Sequence, residues 1–336
     1  MPDRVPLVSI GLPVRNGSAY LAQAMDDLLG QTVEDVELVV CDNASTDDTA
    51  AIVRAAARRD PRVRYRRNPT DIGALPNANL AFHLSRGAYY VLAAHDDRHA
   101  PDFLERLVGA LEARPDAILA YGRKGLIDDH GRRFRHDPAR GLHAVGHRVV
   151  DYDGALERPL PDDPVARYHC ALRSNDCNAP IHGLFRREVL ARLPEHHVHG
   201  SDRLIVASAA LWGPFAFVDA ELMQYRVHAG STRYLDRATR IARETGREDV
   251  LPLVHHHVAT LQRYLRAVAA APLTPTQRLR AYTATTLSGA RRHALGALGQ
   301  RLEGRPRRRF VGATADTPSR ASASIGGGPS LSQHAS

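Results

Sequence analysis

Lysine is all but absent from this chain. Lys124 is the only one among 45 basic residues. So complete a bias toward arginine points to genomic base composition rather than to a phosphate-binding surface. Cysteine is scarce as well. Cys41, Cys170 and Cys177 are too few for a disulfide framework, so a reducing cytoplasm is the expected setting. No apolar run approaches the roughly 20 residues that cross a bilayer. The opening residues, Met1-Pro2-Asp3-Arg4-Val5-Pro6, lead straight toward a strand without the apolar stretch of a secretory signal.

The formal charge of +8 over 336 residues is unevenly spread. Residues 251–336 hold twelve arginines against only Glu303 and Asp316, a balance of +10 that leaves −2 on the other 250 residues. The basic excess therefore lies in the tail, where aromatics are few, and a nucleic-acid-binding surface is not expected. The arginine-rich C-terminal helices leave peripheral contact with a membrane as an expectation.

What is present is alternation. Val8–Val14, Val36–Asp42, Val63–Arg67, Tyr89–Ala94 and Ala117–Tyr121 read as short buried strands. Between them lie helical patterns: Tyr20–Leu29 stopped by Gly30, a helix capped by Ser45 or Thr46 and broken at Asp60-Pro61, Leu75–Ser85, and Pro101–Ala113. Strands alternating with helices predict a mostly parallel sheet covered on both faces, an α/β fold. Residues 125–187 are irregular, with a hairpin turn at Asp129-His130-Gly131-Arg132. A helix at Asp202–Leu211 and strands at Phe215–Val218 and Leu222–His228 follow. Residues 253–300 read as helices broken near Pro272–Pro275. The Gly-, Pro-, Ser- and Arg-rich segment 304–336 reads as disordered.

Chemistry concentrates at strand ends. Tyr89–Ala94 terminates in His95-Asp96-Asp97, and Val36–Cys41 terminates in Asp42. Adjacent carboxylates at a strand's C-terminal edge are costly unless positive charge sits against them. That edge is where open α/β sheets bind ligands. A divalent cation escorting a diphosphate is one source of that charge; a helix start at Pro101-Asp102 is the plainer reading. Asp202 opens a later helix, as a base or as an N-cap. His169-Cys170, Cys177 and His182 lack the spacing of a compact zinc motif and read as loop and core positions.

Five segments together resemble family 2 glycosyltransferases: VSIGLPVRNG (Val8–Gly17), VELVVCDNASTDDT (Val36–Thr49), NPTDIGALPNANLA (Asn68–Ala81), YYVLAAHDD (Tyr89–Asp97) and Ser201–Ser231. The resemblance implies the GT-A fold, a Rossmann-like sheet plus C-terminal helices. It implies a nucleotide-sugar-binding half over 1–125, an acceptor-binding half over 126–235 and a helical extension over 236–303. It also implies inverting transfer from a nucleotide-diphosphate sugar, UDP-linked first and dTDP- or GDP-linked next, assisted by Mg²⁺ or Mn²⁺.

By the same resemblance, Pro13, Arg15 and Asn16 line the nucleotide end, and Asp42 accepts from the base unless it serves only as a turn residue. Asn68, Gly73 and Asn77 form the loop beside the nucleotide. Asp96 sits near the ribose or sugar, and Asp97 ligates the metal. Asp202 is the general base, Arg226 holds phosphate, and His228 is a further metal ligand unless the backbone satisfies it. The chain departs from the family at His95 and Ser201, where acids are common. Nucleotidyl transfer would want a Gly-rich basic loop after the first strand, and Val14-Arg15-Asn16-Gly17 is too short and too poor in glycine for that.

Overall fold

Two strands that are buried along nearly their whole length start the architecture. β1 (Val8–Val14) and β2 (Val36–Asp42) are largely apolar on both faces, as strands inside a covered parallel sheet are, with buried Ser9 and Glu37 paired to each other. They pair in parallel register from Val8 opposite Val36 to Val14 opposite Asp42. The computed structural model describes residues 4–137, 142–146, 148–150, 154–174, 178–194, 201–228, 239, 243–245 and 253–301. The expected disorder of 304–336 and the position of Cys177 lie outside these residues.

Helix α1 (Leu21–Leu29) buries Leu21, Ala24, Met25 and Leu28 at helical spacing and ends at Gly30. Helix α2 (Thr49–Arg59) leads to β3 (Val63–Arg67), α3 (Ala74–Leu84) to β4 (Tyr89–Leu92), and β5 (Arg98–His99) and α4 (Phe103–Ala113) to β6 (Leu119–Asp128). A small antiparallel sheet of β7 (Arg135–Asp137), β8 (Leu142–Val145) and β9 (Arg148–Val150) follows. Then come α5 (Pro164–Arg173), α6 (Asn178–Ile181), β10 (Leu184–Arg186), α7 (Arg187–Leu190), α8 (Ser201–Trp212), β11 (Phe215–Val227), α9 (Leu253–Ala270) and α10 (Pro275–Arg301).

The main sheet runs β3-β2-β1-β4-β10-β6-β11-β5. Strands β3, β2, β1 and β4 are parallel, β10 runs against β4 and β6, and β6 is parallel to β11. This is the mostly parallel α/β sheet expected from the alternation.

Several boundaries differ from the sequence reading. The strand expected at Ala117–Tyr121 continues to Asp128, because its neighbour carries it on. That neighbour, β11, is one strand across Phe215–Val227 rather than two, with register shifts between Val218 and Met223 where the pattern broke. Helix α2 begins at Thr49, not at a Ser45 or Thr46 cap. The Ser45 hydroxyl accepts instead from Asn16 N at 2.9 Å, and the Asp47 carboxylate takes Thr49 N at 3.0 Å. The irregular stretch 125–187 conceals β7–β10, α5 and α6, whose strands are too short to show a period.

Two apolar cores flank the sheet. One packs α1, α2 and α4 against β1, β2 and β4. The other gathers α5 and α8 with Tyr264 and Val268 of α9, Leu273 of the turn that follows and Ala281 of α10. Tyr168 and Thr285 share a 2.7 Å hydrogen bond, so the C-terminal helices are built into the second core. Buried Arg167 ties it further, donating to the carbonyls of Ala210, Pro161 and Asp162. Among the described residues no helix is long and apolar enough to cross a membrane.

Candidate active site

Parallel strands leave their C-terminal ends on one edge, and the loops there are tied to one another. Asn16 takes a left-handed backbone (φ 51°) after β1, and its side-chain oxygen accepts from Thr46 N at 2.8 Å. Gly17 N donates to Thr49 Oγ1, and Ser18 N to Asp47 Oδ2. A Cβ on Gly17 would lie 2.5 Å from the His95 ring, so glycine lets the β1 turn press against the acid loop that follows β4.

The loop after β3 joins the same edge through buried amides. Asn68 donates to Asn43 Oδ1 and Asn77 Oδ1, and Asn77 donates to the Cys41 carbonyl at 2.7 Å. Gly73 sits at φ 88°, a conformation open to glycine at the start of α3. Asn68, Gly73 and Asn77 thus build the wall. Arg15 stands outside it, half-exposed and 3.1 Å from Asp71, and Pro13 is part-exposed beside the turn. Asp42 is fully buried and both its oxygens are engaged: Oδ1 accepts from Ser45 N at 2.8 Å and Oδ2 from Tyr65 OH at 2.7 Å. This is the geometry of the turn reading of Asp42.

The two adjacent aspartates face opposite ways. Asp97 is buried; its Oδ1 accepts from Arg226 N at 2.8 Å, and its Oδ2 is buried without a partner. Burial, then the like charge of Asp96, holds its carboxyl well above the usual carboxylate range. Asp96 is 19% exposed, and its Oδ2 lies 2.9 Å from His228 Nε2. Burial would raise its pKa too, but the charge of His95 and the His228 hydrogen bond outweigh that and lower it to about 2. The pair therefore splits, the Asp96 carboxyl held low at the sheet edge and the Asp97 carboxyl held high beneath it.

Arg226 is a strut behind this loop. It is buried, and each guanidinium nitrogen already donates: Nε to the Asp96 carbonyl at 2.7 Å, Nη1 to the Asp128 carbonyl at 3.1 Å and Nη2 to Gln23 Oε1 at 2.9 Å. It also lies 4.5 Å over the Tyr20 ring, whose other neighbour is His228 at 5.3 Å. A phosphate reaching Arg226 would have to displace these partners.

Asp202 stands in the first turn of α8, part-exposed. What connects it to the acid loop is His182, which precedes β10. Its Nδ1 lies 2.6 Å from the Leu92 carbonyl at the end of β4. Burial lowers the ring's pKa, the Leu92 bond and the charges of Asp202 and Asp96 act to raise it, and that of Lys124 to lower it. One imidazole thus feels Asp96 and Asp202, from elements more than 100 residues apart.

Sequence reasoning placed His182 in loop or core, and it read Lys124 as an accident of composition. Both stand in the site. Lys124 is buried in β6, and its charge reaches Asp97 and His182. The available signal was its singularity, one lysine kept where every other cation is arginine. Deeper still, His99 is buried against Phe103 at 5.0 Å with both ring nitrogens unpartnered, and burial pushes its pKa down to about 4.

A hard divalent cation suits only part of this set. Among the described residues no three His, Cys, Asp or Glu side chains form a metal cage. Asp96 and His228 do present an ionised carboxylate and an imidazole at one point, to which a bound diphosphate could add the remaining oxygens.

Known proteins show where these features recur. Escherichia coli chondroitin synthase is 39% identical over 131 residues, 38% of this chain and 18% of that one. Pasteurella multocida hyaluronan synthase is 36% identical over 103 residues, 31% of this chain and 10% of that one. The chain spans less than a fifth of the length of these curated relatives. The structure of S. aureus TarS 1–349 in complex with UDP superposes with a TM-score of 0.57 at 15% identity, over 82% of this chain and 69% of that one, a likeness of fold. The profile of glycosyl transferase family 2 matches residues 9–193, more than half of the sequence, and the chain belongs to that family.

Proposed function

We propose that this protein transfers a glycosyl group from a nucleotide-diphosphate sugar to an acceptor hydroxyl with inversion. The observation that carries the reading is the part-exposed Asp96–His228 pair, 2.9 Å apart, in the loop where the parallel strands end. A donor spanning that edge has its nucleotide along the β1, β2 and β3 loops. Its diphosphate lies at Asp96 and His228, and its sugar points toward Asp202.

Asp202 acts as the general base. It takes the proton of the acceptor hydroxyl as that oxygen bonds to the anomeric carbon, and the bond from that carbon to the diphosphate breaks. The nucleoside diphosphate leaves with its electron pair. Asp96 and His228 would hold Mg²⁺ or Mn²⁺, which when bound neutralises the departing diphosphate. Asp97, to which the resemblance gave the metal, instead fixes the Arg226 backbone and so the position of Asp96. The nucleotide is UDP in the favoured reading, supported by TarS, which was solved with UDP and with UDP-GlcNAc.

The test is a thermal-shift screen of UDP, dTDP and GDP with and without Mn²⁺, followed by donor turnover in Asp202→Asn. One nucleotide stabilises the wild type more with manganese than without. The Asp202→Asn variant keeps that binding and loses at least about 10²-fold in transfer. Full turnover by Asp202→Asn would remove the base assignment.

A further inference from the structure

His182 enters the reading above only as a witness to its neighbours, yet its own chemistry is defined. The Leu92 carbonyl can only accept, so the 2.6 Å contact puts the proton on Nδ1. The neutral ring then presents Nε2 as a lone-pair acceptor. His182 is part-exposed against the end of β4. Its position is rigid. Gly183 behind it is pressed onto the Ala120 carbonyl, where a Cβ would fall at 2.5 Å, and α6 before it packs on α8 and β6. The Leu92 carbonyl that holds it ends β4, four residues before Asp96, so the ring stands at the foot of the acid loop. Under the proposed function, on which this rests, the diphosphate lies at Asp96 and the attacked carbon faces Asp202. The ring, on the same edge, stands beside the transferred sugar in that reading.

We propose that His182 determines donor-sugar specificity, its Nε2 accepting a hydrogen bond from one hydroxyl of the sugar being transferred. The bond to Leu92 sets the tautomer, and the antiparallel entry of β10 delivers the ring to the edge where the parallel strands end. A sugar lacking that hydroxyl forfeits the bond to the acceptor nitrogen and binds more weakly.

Two isosteric variants separate this role from a structural one. His182→Asn places an amide N–H where Nδ1 stood and keeps the Leu92 bond but has nothing at Nε2. His182→Gln places a polar group at the Nε2 position and gives up the Leu92 bond. The probes are UDP, the tightest binder among UDP-glucose, UDP-galactose and UDP-N-acetylglucosamine, and the monodeoxy analogues of that donor, all with Mn²⁺ and read by calorimetry.

Wild type is expected to bind one deoxy donor about tenfold more weakly than its parent, the worth of one hydrogen bond. His182→Asn binds UDP as wild type does, binds the parent donor about tenfold more weakly, and no longer distinguishes that deoxy donor. His182→Gln recovers part of the discrimination. If His182→Asn still discriminates every deoxy donor as wild type does, or weakens UDP alone as much as UDP-sugar, the proposal is overturned. Failure of wild type to bind any of the nucleotides would instead overturn the function on which it rests.

Discussion

Asp96→Asn and Asp97→Asn form a pair of isosteric changes, one residue apart, whose outcomes should be opposite. In Asp97→Asn the amide oxygen still accepts from Arg226 N, the 2.8 Å bond that anchors the loop. The second carboxyl oxygen has no partner to lose. The stability change should therefore stay within about 1 kcal/mol. In Asp96→Asn the fold also survives, since the group is part-exposed, but the charge opposite His228 disappears. A ligand at 100 times its Kd stabilises the folded state by about 2.7 kcal/mol. At roughly 2–4 °C per kcal/mol that is a rise in Tm of about 5–10 °C. Differential scanning fluorimetry with UDP, with and without Mn²⁺, reads it directly. Wild type and Asp97→Asn should show the manganese-dependent part of the rise, and Asp96→Asn should show only what UDP gives alone. Loss of that part in Asp97→Asn together with its survival in Asp96→Asn would refute the inward reading of Asp97.

Other perturbations test the frame around the site. Glu37 is buried at the far end of β2 and accepts from Ser9 Oγ, Arg86 N and Arg64; burial raises its pKa, but these hydrogen bonds outweigh that and lower it. Its stabilisation is present above the ordinary carboxylate pKa and is lost as pH falls through the folded value. Urea titrations should show Glu37→Gln costing about 2 kcal/mol at pH 7 and less below pH 4; a gap that widens in acid would contradict this. Arg167→Met should cost about 2–4 kcal/mol, because three carbonyls lose a buried donor; an unchanged Cm would show that water replaces it. Arg226→Lys keeps the charge but not the three-way fork, so it should weaken metal-dependent nucleotide binding at least tenfold in calorimetry.

The strand–helix alternation was legible because β1, β2 and β4 carry mostly apolar runs and α1 a clean helical face. What escaped was set by partners distant in sequence. β10 is three residues long and exists only because β4 and β6 lie on either side of it. β11 was read as two strands because its bulge breaks the period that β6 restores in space. At the site, the acids were visible as residue types, but their directions were not. Nothing local in Asp96-Asp97 says which one meets Arg226 N, a bond across 129 positions. Asn16, Asn68 and Gly73 lie on loops and Asn77 in the first turn of α3, and their amides serve mainly to knit those segments together.

The solitary amine of Lys124 also makes the chain a reporter on itself. A lysine-specific protease has one bond to cut, and it lies in the interior of β6, where Lys124 pairs with Met223 of β11. Cleavage there requires β6 and β11 to part, so the rate of appearance of two fragments counts openings of that strand pair and is blind to fraying elsewhere. Any ligand that tightens the acid loop against β11 should slow that cut, with no label, chromophore or enzymatic assay needed to see it.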